Sequence, residues 1–95
     1  MSRKPAKHTP PPPLTKQAEL AAYQQAQTDF ESEAAETHKG FCHYFTARQG
    51  IEFDSLPALY QMYLEACGPL HFWFTEGNRR QRVEVLKYVI ETLKT

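Results

Sequence analysis

The hydrophobic pattern of the chain is dominated by one stripe that runs from Leu14 to Gln49. Its members recur at alternating spacings of three and four residues, which places them on one face of an α-helix in heptad fashion. No proline interrupts this stretch, and Gly40 is its only glycine. The stripe comprises Leu20, Tyr23, Gln27, Phe30, Ala34, Thr37, Phe41 and Tyr44. The pattern predicts one long helix over residues 15–49, with Thr15 as its N-cap.

Two shorter amphipathic helices are predicted in the second half of the chain. The first covers residues 55–67, where Pro57 suits a first turn and Gly68-Pro69 ends the helix. The second covers residues 78–94, where Asn78 can cap the first turn and Gln81 can complete a capping box. Its apolar stripe is Val83, Leu86, Val89, Ile90 and Leu93. The apolar run 70–74 between them is too short to assign to a helix or a strand.

These elements predict an all-α fold, with three helices in a single domain over residues 14–95. Residues 1–13 precede it and contain four consecutive prolines and several basic side chains but no acidic one. Such a composition favours extended polyproline II and is typical of disorder. We expect a disordered basic arm, which is either an untethered terminus or a segment that contacts a phosphate backbone or a partner protein.

Length and charge limit the function classes. A chain of 95 residues has room for one small domain with a thin core, and no catalytic motif is present. We therefore expect no enzymatic activity, no cofactor and no small-molecule substrate.

The formal net charge is zero, which argues against a surface that attracts nucleic acid over its whole extent. No signal peptide or membrane-spanning run is recognised, so we expect a cytoplasmic protein without membrane contact.

Histidine and cysteine occur in two pairs with the same spacing. His38 and Cys42 are four residues apart, as are Cys67 and His71. These four residue types can close a tetrahedral zinc site, so a small zinc-stabilised domain is one alternative, and a Cys42–Cys67 disulfide is another. We expect neither, because two of the ligands would lie within a helix and Cys67 already belongs to an apolar stripe.

Three arginines begin the last predicted helix: Arg79, Arg80 and Arg82. The helix macrodipole is positive there, so these charges require a nearby anion. The anion is either internal, from Glu76 or the acidic segment 29–36, or external, from a phosphate or an acidic partner. A helix-turn-helix is excluded for the predicted elements, because the connection from Gly68 to Asn78 is too long, unless residues 70–76 are themselves helical.

The acidic segment contains Asp29, Glu31, Glu33 and Glu36. We interpret it as a solvated helix face, with imitation of nucleic-acid phosphates or docking on a basic protein as the alternative.

The length of the first helix suggests a binding surface. An unbroken helix of 35 residues would be about 50 Å long, whereas a compact domain of this size is nearer 30 Å across. Either the helix breaks near Gly40, or its first half projects with Leu20, Tyr23 and Phe30 uncovered. We predict that these three side chains, together with Trp73, bind another protein or a second copy of the chain. The expected function is that of a small regulator or inhibitor of a larger complex, and nucleic-acid binding through Arg79, Arg80, Arg82 and the basic arm is the alternative.

Overall fold

The computed structural model describes residues 13–65 and 68–95, except for the side chains of residues 69 and 70. Helices make up most of this part of the chain, and it contains no β-strand, so the all-α prediction is confirmed. The elements are α1 (Lys16–Glu31), α2 (Phe41–Ala47), a 3₁₀ turn (Phe53–Ser55), α3 (Pro57–Glu65), α4 (Pro69–Thr75) and α5 (Arg79–Lys94). The described residues thus form five α-helices where the sequence predicted three. The predicted disordered arm lies, except for Pro13, outside the described residues.

The unbroken helix over residues 15–49 is the main error of the sequence-based prediction, whereas its alternative, a break near Gly40, is close to what the structure shows. Helix α1 ends at Glu31, and a succession of turns over residues 32–37 leads to α2, which begins at Phe41. Glu33 has a positive φ of 66°, which no helical residue adopts. Because the chain turns back, the two halves of the predicted stripe bury each other. The ring of Phe30 lies 5.7 Å from that of Phe41 and 4.9 Å from that of Tyr44, measured between centroids.

Gly40 is the last residue of this reversal and packs against the backbone of α4. Its φ is 138°, and a Cβ atom built there would lie 1.8 Å from the backbone oxygen of Phe74. Only glycine fits both the backbone conformation and the space. The close approach lets α2 pack against α4, and the rings of Phe41 and Phe74 meet edge to face with centroids 5.2 Å apart.

Helices α1 and α5 form the largest helix–helix contact. The end of α1 lies at the start of α5, since the Arg82 guanidinium sits 5.5 Å from the Phe30 ring centroid, so the two helices run antiparallel.

The predicted caps are confirmed: the Thr15 side chain accepts from the backbone N–H of Ala18, and Asn78 and Gln81 form a capping box. The buried apolar side chains form a core cluster that includes Tyr23, Phe30, Phe41, Tyr44, Phe45, Leu56, Leu59, Phe74, Val85, Leu86, Val89 and Ile90.

Helix α3 receives its N-terminal cap from α1. Its first residue is Pro57, and the apolar Leu56 before it cannot cap with its side chain. Instead, the Glu19 carboxylate accepts from the backbone N–H of Ala58 at 2.8 Å. The Tyr23 hydroxyl accepts from the N–H of Leu59 at 3.0 Å and donates to Glu19 at 2.6 Å. Two free N–H groups of the first turn are thereby satisfied by side chains from another helix.

Candidate functional site

The structure buries the centre of the predicted protein-binding surface. Tyr23 and Phe30 are 0% and 1% exposed. The prediction that they are uncovered is therefore wrong, because the reversal after α1 brings α2 onto the same face that a partner was expected to cover. Leu20 and Trp73 are half-buried and pack against the core. Neither of them offers a fully exposed anchor.

The exposed large apolar side chains in the described part of the chain are Leu64, Phe72 and Tyr88. Tyr88 is the most exposed of the three, at 64%. It stands beside an open groove of about 250 Å³ between α3 and α5. We call this feature the α3–α5 groove; it is lined by Ala58, Gln61, Met62, Glu65, Tyr88, Val89 and Thr92.

The chemistry of the α3–α5 groove is that of a contact surface. Ala58, Met62 and Val89 give it an apolar floor, while Gln61 and Thr92 belong to its polar lining. A methionine adapts its shape to different ligands, and tyrosine is enriched among residues that dominate binding energy. The hydrophobic pattern of the sequence did not predict this groove. The available signal was that Met62 and Tyr88 are apolar or aromatic positions off the main stripes of their helices.

The three arginines at the start of α5 differ in their surroundings. Arg79 forms ion pairs with two acids of the turn after α1, at 2.6 Å to Glu33 and 3.5 Å to Glu36. Arg82 is buried, whereas Arg80 is exposed. The internal acids thus neutralise Arg79, as one of the two alternatives predicted. Arg80 is the member of the trio that is open to an external anion.

Arg82 connects α5 to the segment before α2. Its Nη1 donates to the backbone oxygen of His38 at 3.0 Å, and its guanidinium lies over the Phe30 ring. Burial lowers the pKa of Arg82, and the Glu36 carboxylate partly opposes that shift. These contacts give Arg82 a structural role, because its hydrogen bond holds the chain that enters α2.

A polar pocket of about 290 Å³ lies at the same end of α5. Its lining includes the basic side chains of Lys39 and Arg79 and the acidic side chains of Glu36 and Glu76. The mixed charge argues against a site built for a small anion.

Helices α4 and α5 are joined by three residues, Glu76, Gly77 and Asn78. A Cβ atom at Gly77 would lie 2.5 Å from the Cα of Trp73, so glycine allows the connection to pack closely on α4. Residues 69–75 are helical, which meets the condition under which a helix-turn-helix connection is possible. Helix α4 was not predicted from the sequence, because seven residues are too few to show the apolar spacing of a helix.

The acidic segment is only partly a surface feature. Asp29 is buried, accepting hydrogen bonds from Tyr44 and, at 3.1 Å, from Gln25. Glu33 and Glu36 pair with Arg79, while Glu31 is exposed.

The predicted zinc ligands have other neighbours where the structure describes them. Cys42 is an exposed free cysteine, and His71 hydrogen-bonds to the Tyr63 hydroxyl through Nδ1 at 2.9 Å. The imidazole of His38 faces His43 instead of Cys42, with the two Nδ1 atoms 3.3 Å apart. Cys67 lies outside the described residues. Among those that the structure covers, no group of three or more His, Cys, Asp and Glu residues could hold a metal ion.

In comparisons with known proteins, no family model, no curated protein and no solved structure matches this chain. Within residues 13–65 and 68–95, no helix combines the length and apolar character that crossing a membrane requires.

Proposed function

We propose that this protein is a non-enzymatic binding module that accepts an apolar segment of another protein in the α3–α5 groove. The observation that carries the proposal is the 64% exposure of Tyr88 beside an open, largely apolar groove. An exposed aromatic side chain beside an apolar groove gives a partner both a surface to bury and an anchor of the type enriched among binding hot spots. The proposal keeps the binding function expected from the sequence and moves it from Tyr23 and Phe30 to the α3–α5 groove.

The partner segment is an amphipathic helix. A groove between two helices suits a third helix, whose apolar residues at i and i+4 would enter between Met62 and Tyr88. Glu65 is the charged residue in the lining of the groove. A lysine or arginine at the edge of the partner's apolar face would therefore complement it.

The test begins with a photocrosslinking amino acid at Tyr88 in the full chain, expressed in the native host, with Arg80 as the control position. Both residues are exposed on α5. Mass spectrometry then identifies the crosslinked segment, which is synthesised as a peptide. We expect this peptide to bind the full chain and to lose at least about tenfold in affinity on Tyr88→Ser, since aromatic hot spots contribute 2 kcal/mol or more.

The matched control is Phe72→Ser, which removes another exposed aromatic side chain from a different helix, α4. Equal losses from Tyr88→Ser and Phe72→Ser would refute the groove as the site. Crosslinks at Tyr88 that join two copies of this chain would show that a homodimer, not a second protein, covers the groove.

A second candidate function is nucleic-acid binding by α4 and α5 as a helix-turn-helix. The three-residue connection with Gly77 favours it, as does the exposed Arg80 in the first turn of α5. Against it, Arg79 and Arg82 have internal partners, and Glu33, Glu36 and Glu76 surround the same helix end. Duplex DNA binding that falls steeply with salt and weakens on Arg80→Ala would support this candidate; salt-insensitive peptide binding would support the groove.

A further inference from the structure

We propose that His38 and His43 form a surface site for Zn²⁺, with water completing the coordination. The two Nδ1 atoms lie 3.3 Å apart. Two nitrogen ligands on one tetrahedral zinc, each about 2.0–2.1 Å from the metal, are separated by about 3.3–3.4 Å. At this separation the two imidazoles share a hydrogen bond. Coordination of one zinc ion would replace that hydrogen bond, with each neutral ring carrying its proton on Nε2.

The site is held by the surrounding structure. His43 is anchored on α2, and the backbone oxygen of His38 accepts from the buried Arg82 at 3.0 Å. The His38 ring also packs edge to face with that of Tyr44, with centroids 5.6 Å apart. Because both ligands are already positioned, little conformational entropy would be lost when a metal binds.

Both imidazoles are reachable from solvent, since His43 is exposed and His38 is half-exposed. Arg48 and Arg82 oppose the added cation, but each donates to a backbone oxygen, of Ala34 and His38 respectively. The pocket beside His38 also contains Lys39, whose charge the carboxylates of Glu36 and Glu76 offset.

This pair differs from the sequence-predicted set of His38, Cys42, Cys67 and His71. It uses two histidines five residues apart, one in the turn before α2 and one within α2. A metal there would connect the 32–40 reversal to α2. The same reversal carries Glu33 and Glu36, the acid partners of Arg79.

The experiment titrates the full chain with zinc chloride by calorimetry in a buffer that does not bind metals, near neutral pH. We expect one zinc ion per chain and a loss of at least about tenfold in affinity on His38→Ala or His43→Ala, since each removes one of two protein ligands. His8→Ala and His71→Ala serve as matched controls and should leave the affinity of this site unchanged.

A thermal measurement gives a second readout. Zinc should raise the melting midpoint of the wild-type chain, because an ion that binds the folded state in preference to the unfolded state stabilises the fold. The melting midpoint of His43→Ala, which lacks one of the two histidines, should not change with zinc. The proposal is overturned if the chain binds no zinc, if the His38→Ala/His43→Ala double variant binds it as tightly as wild type, or if His71→Ala causes an equal loss.

Discussion

The hydroxyl of Tyr44 on α2 donates a hydrogen bond to the buried carboxylate of Asp29 on α1. The same hydroxyl accepts from the side-chain amide of Gln49 at 2.9 Å, and Asp29 also accepts from Gln25. This network crosses the chain reversal between the two helices. It gives the buried acid polar partners, since a carboxylate without them would be costly to bury.

We predict that Tyr44→Phe destabilises the fold by about 1–3 kcal/mol, because it leaves the Asp29 carboxylate buried with one hydrogen bond fewer. Urea unfolding measures the change. Tyr88→Phe is the matched control, since its hydroxyl is on an exposed side chain and its loss should change stability by less than about 0.5 kcal/mol. Similar values for the two variants would show that the Asp29 contact contributes nothing.

Stability should decline at alkaline pH. Burial raises the pKa of both Tyr23 and Tyr44, and their hydrogen bonds to Glu19 and Asp29 raise it further. Above a pH of about 10, unfolded tyrosines lose their protons while these two retain them in the folded state. The stabilisation is thus complete below about pH 10 and is lost above it, by up to about 1.4 kcal/mol per pH unit for each tyrosine.

The measurement is the free energy of unfolding in urea at several pH values from about 8 to 11. The Tyr23→Phe/Tyr44→Phe variant should be less stable at neutral pH yet show a shallower decline above pH 10. Parallel curves for wild type and variant would contradict the assignment.

Gly40→Ala should prevent normal folding or cost more than about 4 kcal/mol, because the added Cβ would overlap the backbone oxygen of Phe74. Gly50→Ala is the control for backbone conformation alone: Gly50 has a φ of 68° with open space around it. Its cost should be about 1–2 kcal/mol, as for other left-handed residues. Thermal and urea unfolding compare the two, and equal costs would mean that the α4 contact adjusts to the methyl group.

The arginines of α5 should differ in their contribution to stability. Arg82→Ala should cost about 1–3 kcal/mol, because the His38 carbonyl loses its buried donor and the guanidinium its packing on Phe30. Arg79→Ala should cost about 0–1 kcal/mol, since its acid partners are well exposed. Arg80→Ala should change stability least. Any other order in urea unfolding would contradict the structural role given to Arg82.

The sequence predicted α5 closely because its signals are local. Asn78 and Gln81 mark its start within four residues, and its apolar stripe is regular. The predicted boundary of residues 78–94 differs from the observed helix only by including the cap.

The break after α1 could not be predicted from local signals. The apolar spacing continues across residues 32–40 because both halves of the stripe are buried, one against the other. Gly40 marks the start of α2, but Glu33 adopts its positive φ without being glycine or asparagine, so the sequence carries no marker of where α1 ends. The burial of Tyr23 and Phe30 follows from contacts with residues at least eleven positions away, which periodicity within a single segment does not encode.

The capping of α3 by Glu19 and Tyr23 has a consequence for the order of assembly. A nine-residue helix is too short to persist alone in water, and this one has no cap from its own segment. Its first turn is completed only when α1 is already beside it. Because α3 forms one wall of the α3–α5 groove, release of α1 would leave two N–H groups of that wall without their partners. Any event that releases the amino-terminal helix would therefore also weaken the surface proposed for the partner, even though no residue of α1 lines the groove.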